Sequence, residues 1–282
     1  MRKLTVIIML IACLSTATAG KKQVVILHTN DTHSCIMPLS ENLADTTVAG
    51  RGGFLRRMAL VQKERRDNPG LLLIDSGDFS QGSPYYTLFK GDVEIGMMNM
   101  MGYDAATIGN HEFDFGLDNM ARIFRTATFP IVCSNYDFTG TPVEGLVKEY
   151  TVITRDGIRI GMFGLSPDMK GLIDENKCQG VAFLDPIETA KRMSTLLRKK
   201  EKCDVVICIS HLGWDMDGEC DDAMLATATQ GIDIILGGHS HTNMEKAQTM
   251  KAADGKTVTI DQNGKSGIWI GKLVVEDRKS VV

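Results

Sequence analysis

Five times along this chain an apolar, β-branched-rich run ends abruptly in polar residues, and this alternation constrains the fold more than any other feature. Residues 24–27 run into His28-Thr29-Asn30-Asp31, and residues 71–74 into Asp75-Ser76-Gly77-Asp78. Residues 105–108 run into Gly109-Asn110-His111, residues 205–209 into Ser210-His211, and residues 232–236 into Gly237-Gly238-His239-Ser240-His241. Unbroken apolar runs of this length read as strands buried on both faces. Helical patterns follow them, over about residues 53–66, 93–101, 117–126, 186–202 and 221–229. The first should bury Phe54, Leu55, Met58 and Val61, and the fourth Ile187, Ala190, Met193 and Leu197. Strand, polar loop and helix in repetition give an α/β fold, with the polar loops past the strands' carboxyl ends, where open α/β sheets place their sites.

The rest of the pattern adds a second sheet. Residues 131–134 read as a further strand after Pro130. Residues 150–154 and 158–163 flank Arg155-Asp156-Gly157, a hairpin turn. The tail runs, 257–260 and 268–275, read as a closing antiparallel pair. Two packed sheets with helices outside are therefore expected. A length of 282 residues with 43% hydrophobic content suits one large domain. The net charge of -4, with no basic run along a face, argues against nucleic acid as a partner.

The N-terminus reads as an export signal: Arg2 and Lys3, then an apolar stretch over 4–14 too short to span a bilayer, then Ala17-Thr18-Ala19 as a small-residue cleavage site. Cleavage after Ala19 would leave residues 20–282 as the mature domain, periplasmic and without a transmembrane segment. A lipoprotein box at residues 10–13, ending in Cys13, is the rival reading and would make an unusually short signal. Cleavage after Ala19 leaves six cysteines, Cys35, Cys133, Cys178, Cys203, Cys208 and Cys220, which permits disulfides in an exported protein but specifies no pairing. Cys208, inside an apolar strand, reads as a buried thiol.

Histidine is rare here, yet five of the six lie in short motifs with acidic, Asn or Gly neighbours. Imidazole and carboxylate together form the ligand set of a transition-metal site. Asp31 and His33 lie two apart, so in an extended segment both would point the same way, and His239 and His241 repeat that spacing. Gly237 and Gly238 would let the backbone turn and clear space. Asp78 could bridge two cations with its two oxygens, Asn110 offers an amide oxygen, and His211 follows a strand directly. Taken alone, Asp31 is a cap or turn residue, Asn110 a turn residue and His211 a satisfied strand-end histidine. In combination they supply ligands for two ions. His28 has no carboxylate in register and reads as structural. Asp45, Asp217, Asp221 and Asp222 read as solvated or capping, and Met97, Met98, Met100 and Met101 as core filler.

The motifs Asp31-Thr32-His33, Gly77-Asp78, Gly109-Asn110-His111-Glu112-Phe113-Asp114 and Gly238-His239-Ser240-His241 resemble those of the calcineurin-like metallophosphoesterases, and more closely the catalytic domain of bacterial 5'-nucleotidases of the UDP-sugar hydrolase group. The resemblance covers about residues 24–276 and implies a four-layer α/β/β/α sandwich. It implies that Asp31, His33, Asp78 and His241 hold one divalent ion, and that Asp78, Asn110, His211 and His239 hold a second, with Asp78 bridging. His111 would face the phosphate, oriented by Asp114, and Asn110 and His111 would contact substrate. The ions could be manganese, zinc, iron, magnesium or calcium, since affinity order alone does not decide occupancy.

Two such ions, about 3.5–4 Å apart, would clamp phosphoryl oxygens and generate hydroxide at neutral pH, with no serine or cysteine nucleophile needed. The expected activity is hydrolysis of phosphate esters, 5'-nucleotides foremost. The alternatives are a phosphodiesterase or nucleotide-sugar pyrophosphohydrolase, or a metal-stabilised subunit inactive alone. Full-length members of the group carry a second domain that grips the nucleoside. This sequence ends at Val282, so that half is expected from a separate chain, or is dispensed with at the expense of specificity, or belongs to a longer protein.

Overall fold

The run Val24-Val25-Ile26-Leu27 faces two different cores. Val24 and Ile26 pack into one apolar cluster and Val25 and Leu27 into another. A strand can do this only if it is covered on both faces, which is why the run lacks polar alternation. The structure is a computed structural model that describes residues 22–276. The segment read as an export signal lies outside the described residues.

The elements in chain order are β1 (Gln23–Thr29), α1 (Phe54–Asp67), β2 (Leu72–Asp75), α2 (Pro84–Phe89), α3 (Asp92–Met101), β3 (Ala105–Ala106), α4 (Gly116–Phe124) and β4 (Ile131–Val132). There follow β5 (Tyr136–Asp137), β6 (Val147–Lys148), β7 (Tyr150–Arg155), β8 (Ile158–Leu165), β9 (Ala182–Phe183), α5 (Pro186–Lys199) and β10 (Val205–Ser210). The last are α6 (Asp222–Ala228), β11 (Ile234–Leu236), β12 (Gln248–Lys251), β13 (Thr257–Asp261) and β14 (Gly271–Glu276). One six-stranded sheet has the order β14-β1-β2-β3-β4-β6 and the other β12-β13-β11-β10-β8-β7, while β5 and β9 form a small ribbon. β1, β2, β3, β4 and β6 run parallel, as do β8, β10, β11 and β13, with the antiparallel strands β14, β12 and β7 at the other three edges.

Three apolar clusters fill the three gaps between four layers. The middle one joins Val24, Ile26, Leu72 and Ile74 of the first sheet to Ile160, Met162, Ile207 and Leu236 of the second. The outer two seat α1, α3 and α4 on the first sheet and α5 and α6 on the second. Each fully buried aliphatic side chain contributes about 1.5–3 kcal/mol, so the clusters lock the two sheets together. The molecule is an α/β/β/α sandwich, as the motifs implied. Among the described residues no helix is long and apolar enough to cross a membrane.

Several expectations need correction. The two tail runs do not pair with each other. β14 pairs antiparallel with β1, while β13 runs parallel to β11 in the other sheet. The intervening loop crosses the gap between the sheets and is pinned to the end of β1, with Asn263 N donating to Asn30 Oδ1 at 2.9 Å and Asn30 Nδ2 to the Gly264 carbonyl at 2.8 Å. Leu55 and Met100 are 78% and 66% exposed rather than core, because neither lies on the face its helix turns inward. Asp222, expected to be solvated or capping, is fully buried, and Asp221 is the residue that caps α6. Cys208 is buried, and all six described cysteines are free thiols.

Candidate metal centre

Every polar loop singled out in the sequence lies at the carboxyl end of a parallel strand, and the loops of both sheets meet. Asp31 and His33 follow β1, Asp78 follows β2, and Asn110 and His111 follow β3. His211 follows β10 directly, and His239 and His241 follow β11. Three ligand-like clusters result, each with donor atoms within 4.8 Å of one another: Asp31, His33 and His241; His33, Asp78 and His111; and Asp78, His211 and His239. His33 Nε2 lies 2.9 Å from His241 Nε2, and His211 Nε2 lies 3.2 Å from Asp78 Oδ2. Two donors each about 2.1 Å from one ion sit roughly 3.0–3.4 Å apart at right-angled or tetrahedral geometry, so both spacings suit shared coordination.

The local backbone is not the extended one that the i, i+2 spacing suggested. Asp31, His33, Asp78, His239 and His241 all have left-handed backbones, with φ of 47°, 42°, 53°, 73° and 55°. A left-handed non-glycine residue costs on the order of 1–2 kcal/mol and persists only where the surroundings over-determine it. Here they do. Asp31 N donates to the Gly77 carbonyl at 2.9 Å and His33 N to that of Asp78 at 3.0 Å. His239 N donates to the Asp31 carboxylate at 3.0 Å, and His111 N to Asp78 Oδ1 at 2.9 Å. Gly237 and Gly238 are not among the left-handed glycines. Gly238 instead provides clearance, since a Cβ there would lie 2.9 Å from His211 Nδ1. Gly109 is stricter still: its Cβ would fall 2.2 Å from Asp78 Oδ1 and 2.7 Å from His211 Nε2, inside the ligand cradle.

Burial and charge favour a cation. His211 is fully buried, and its Nδ1 donates to the Ser76 carbonyl at 2.6 Å, which turns Nε2 toward the carboxylates. The buried Asn110 Oδ1 has no hydrogen-bond partner and His211 Nε2 faces only the Asp78 carboxylate, the state expected of atoms that bind an ion. Burial opposes charge on His211, but the Asp78 and Asp31 carboxylates outweigh it and raise its pKa to about 10. Asp78 also pays a burial penalty, yet His211, His111 and His33 hold it below the usual carboxylate range. Burial lowers His33, and burial together with His211 lowers His239 to about 4, leaving both imidazoles neutral and free to ligate.

His111 stands apart from the buried set. Its Nδ1 lies 3.2 Å from Asp114 Oδ1, and its side chain is 31% exposed. Burial opposes protonation there, while the Asp114 hydrogen bond and the Asp78 charge raise the pKa overall. Asp114 does not cap α4, whose N-cap position is Phe115, so its carboxylate is committed to the imidazole. A cavity of about 660 Å³ opens beside His33, His111 and His241, with Met37, Tyr85 and Lys265 also lining it. His28 is structural: it is buried, with Nε2 3.0 Å from Asp261 Oδ2 across the sheet gap.

The calcineurin-like phosphoesterase model matches residues 24–243. This chain belongs to that family. Human 5'-nucleotidase is 31% identical to it over 277 residues, spanning 92% of this chain and 47% of that protein. Protein 5NUC of Lutzomyia longipalpis is 33% identical over 252 residues, spanning 83% of this chain and 41% of the relative. The chain thus spans less than half the length of these curated relatives. Among solved structures, the 5'-nucleotidase precursor from Thermus thermophilus superposes with a TM-score of 0.81 at 31% identity, covering 90% of this chain and 51% of that one. The calcineurin-like phosphoesterase YfkN from Bacillus subtilis superposes with a TM-score of 0.74 at 27% identity, covering 93% and 87%.

Two residues of this calcineurin-like phosphoesterase escaped the sequence reading. Glu112 is 1% exposed, and its two oxygens accept from Gly109 N at 2.7 Å, Asp78 N at 3.0 Å and Ser80 N at 3.1 Å, so one carboxylate ties the loops after β2 and β3 together. Burial and the nearby Asp78 charge raise it to about 7. Gln262 does the same for the loop after β11, donating to the Gly238 carbonyl at 2.8 Å and accepting from Ser240 Oγ at 3.0 Å. The adjacency of Glu112 to His111 was the available signal for the first. Gln262 gives none, because its partners lie more than 20 residues away in sequence.

Proposed function

We propose that this chain hydrolyses phosphate monoesters with two divalent metal ions, and that its preferred substrates are 5'-nucleotides, cleaved to nucleoside and phosphate. Asp31, His33, Asp78 and His241 hold one ion and Asp78, Asn110, His211 and His239 the other. When bound, such a pair supplies Lewis-acid charge at the phosphoryl oxygens and hydroxide at neutral pH. The protein's own groups do the rest. Asn110 and His111 contact the phosphoryl group. Asp114 fixes the His111 ring through Nδ1, so that Nε2 meets charge building on the phosphoryl oxygens. The observation that carries this reading is Asp78, which shares one ligand-like cluster with His33 and another with His211 and His239. Export after cleavage at Ala19, to the periplasm, is part of the same reading.

Turnover of AMP, a cyclic nucleotide and a nucleotide sugar with added manganese tests it. AMP should be hydrolysed fastest. A preference for the cyclic substrate would favour the second reading, a phosphodiesterase. No hydrolysis of any of the three by metal-loaded protein would sink both and point to a subunit that needs a partner chain.

A further inference from the structure

Below the His33 loop, two charged side chains are buried with one polar atom each left over. Arg57 on α1 is 8% exposed and Glu94 on α3 is 3% exposed. Arg57 Nη2 donates to the Cys35 carbonyl at 3.0 Å, but its Nε has no partner. Glu94 Oε1 accepts from the Ser34 hydroxyl, but its Oε2 has no partner. Both residues line one cavity of about 20 Å³, together with Thr32, Ser34, Asp75 and Tyr103.

The chemistry of the two atoms selects the occupant. Arg57 Nε can only donate, and Glu94 Oε2 presents lone pairs that accept, with burial raising the Glu94 pKa and the Ser34 hydroxyl opposing. A metal cation cannot accept from N–H, and a simple anion cannot donate to a carboxylate. Water does both. One water needs about 10–15 Å³ and two or more polar partners, and a cavity of about 20 Å³ lined by both residues has room for one. Buried polar atoms are paired in native proteins, with ordered water where protein groups do not reach.

The consequence runs toward the centre. Ser83 caps α2, its Oγ accepting from Tyr85 N at 3.1 Å and Tyr86 N at 3.4 Å, so its hydroxyl hydrogen is free to go to Ser34 Oγ at 2.6 Å. Ser34 then donates onward to Glu94. The chain of hydroxyls therefore has one polarity, set by a helix N-terminus at one end and a carboxylate at the other. Ser34 directly follows His33, and both are left-handed, with φ of 49° and 42°. A strained loop needs an anchor, and Glu94 is the buried carboxyl group at the end of this one.

We propose that one buried water bridges Arg57 Nε to Glu94 Oε2, and that this bridged pair, acting through Ser34, makes Glu94 a positioning residue for His33. The second half rests on the ion-binding reading above. A crystal structure that orders internal waters should show a single peak within hydrogen-bond reach of both atoms. An empty cavity or a direct contact between the two atoms overturns the first half. Calorimetric titration with manganese of wild-type protein and Glu94→Gln tests the second half. One of two affinities should weaken about 10–100-fold while the other stays within about threefold. Equal weakening of both, or of neither, overturns it. Ser34→Ala leaves the Arg57–Glu94 pair in place and should show the same selective loss, which carries the test if Glu94→Gln does not fold. If wild-type protein binds no manganese, the anchoring half falls with the ion-binding reading, and the water peak still decides the first half.

Discussion

The two sides of the candidate centre differ in depth. His211 and Asp78 are 0% and 3% exposed at their side chains, and His211 is held at both its backbone N, 2.8 Å from the Leu165 carbonyl, and its Nδ1, 2.6 Å from that of Ser76. His33 and His241 are 11% and 36% exposed, and His33 Nδ1 reaches the Ser80 carbonyl only at 3.4 Å. On the deep side His211 follows its strand directly. The outer side hangs on loops that border an open cavity. Preorganised, dehydrated ligands bind an ion more tightly than ligands that must be ordered first, so the two positions should not be equivalent.

The largest test removes what the two sides share. Asp78→Asn is expected to abolish binding at both positions and to lower turnover by on the order of 10³-fold or more, measured by manganese titration and AMP hydrolysis. Retention of two ions would break the shared-ligand picture. His111→Asn, outside both sets, should keep both ions and lose about 10²–10⁴-fold in kcat. If the ions leave, the division between binding and chemistry is wrong. Next, His241→Asn should weaken only the outer position and His211→Asn the deep one, with the chelator-resistant ion disappearing only in the second variant. Equal lability in wild-type protein would remove the contrast.

The smallest effect concerns the support behind the deep side. Asp222 accepts from Ser210, the residue before His211, while its Oδ2 is buried without a partner. Burial raises its pKa from 3.8 to about 7, with the Ser210 hydroxyl opposing. The folded state therefore holds the proton longer than the unfolded chain. Stability is expected to be fullest below about pH 4 on account of this group, to fall as pH rises toward about 7, and to level off above, by at most roughly 4 kcal/mol. Asp222→Asn keeps the acceptor for Ser210 and should flatten that slope in urea denaturation. An unchanged slope would show that Asp222 is ionised in the fold.

Much of this was legible in the sequence, for physical reasons. Strands buried on both faces cannot alternate, so Val24-Val25-Ile26-Leu27 and Val205-Val206-Ile207-Cys208-Ile209 declare themselves as apolar runs, and the residues just past them must face the carboxyl ends of a parallel sheet. What was not legible depends on partners far away in the chain. β14 reads like a mate for β13 because they are neighbours in sequence. Its partner is instead β1, and a pairing of Gln23 with Glu276 joins the two ends of the domain, beyond the reach of any local pattern. The left-handed ligands were missed because Asp and His, though enriched in that region, adopt it in only a small minority of cases. Only the opposing loops make that backbone tolerable. Asp222 was misread because its burial comes from Ser210 and Gly237 rather than from its own helix.

The grip on Asp31 has a bearing on biosynthesis. Its carboxylate is held by His239 N, 208 positions further on, and its carbonyl accepts from Ser266 N at 2.7 Å. A ribosome delivers the first half of this protein, with three of the five loops, well before those contacts exist. Long-range closure of this kind is slow. The loops after β1, β2 and β3 can hold one another early, but Asp31 must wait for His239 and Ser266 until nearly the whole domain has emerged, and ion capture at the proposed outer position would be a late event in maturation.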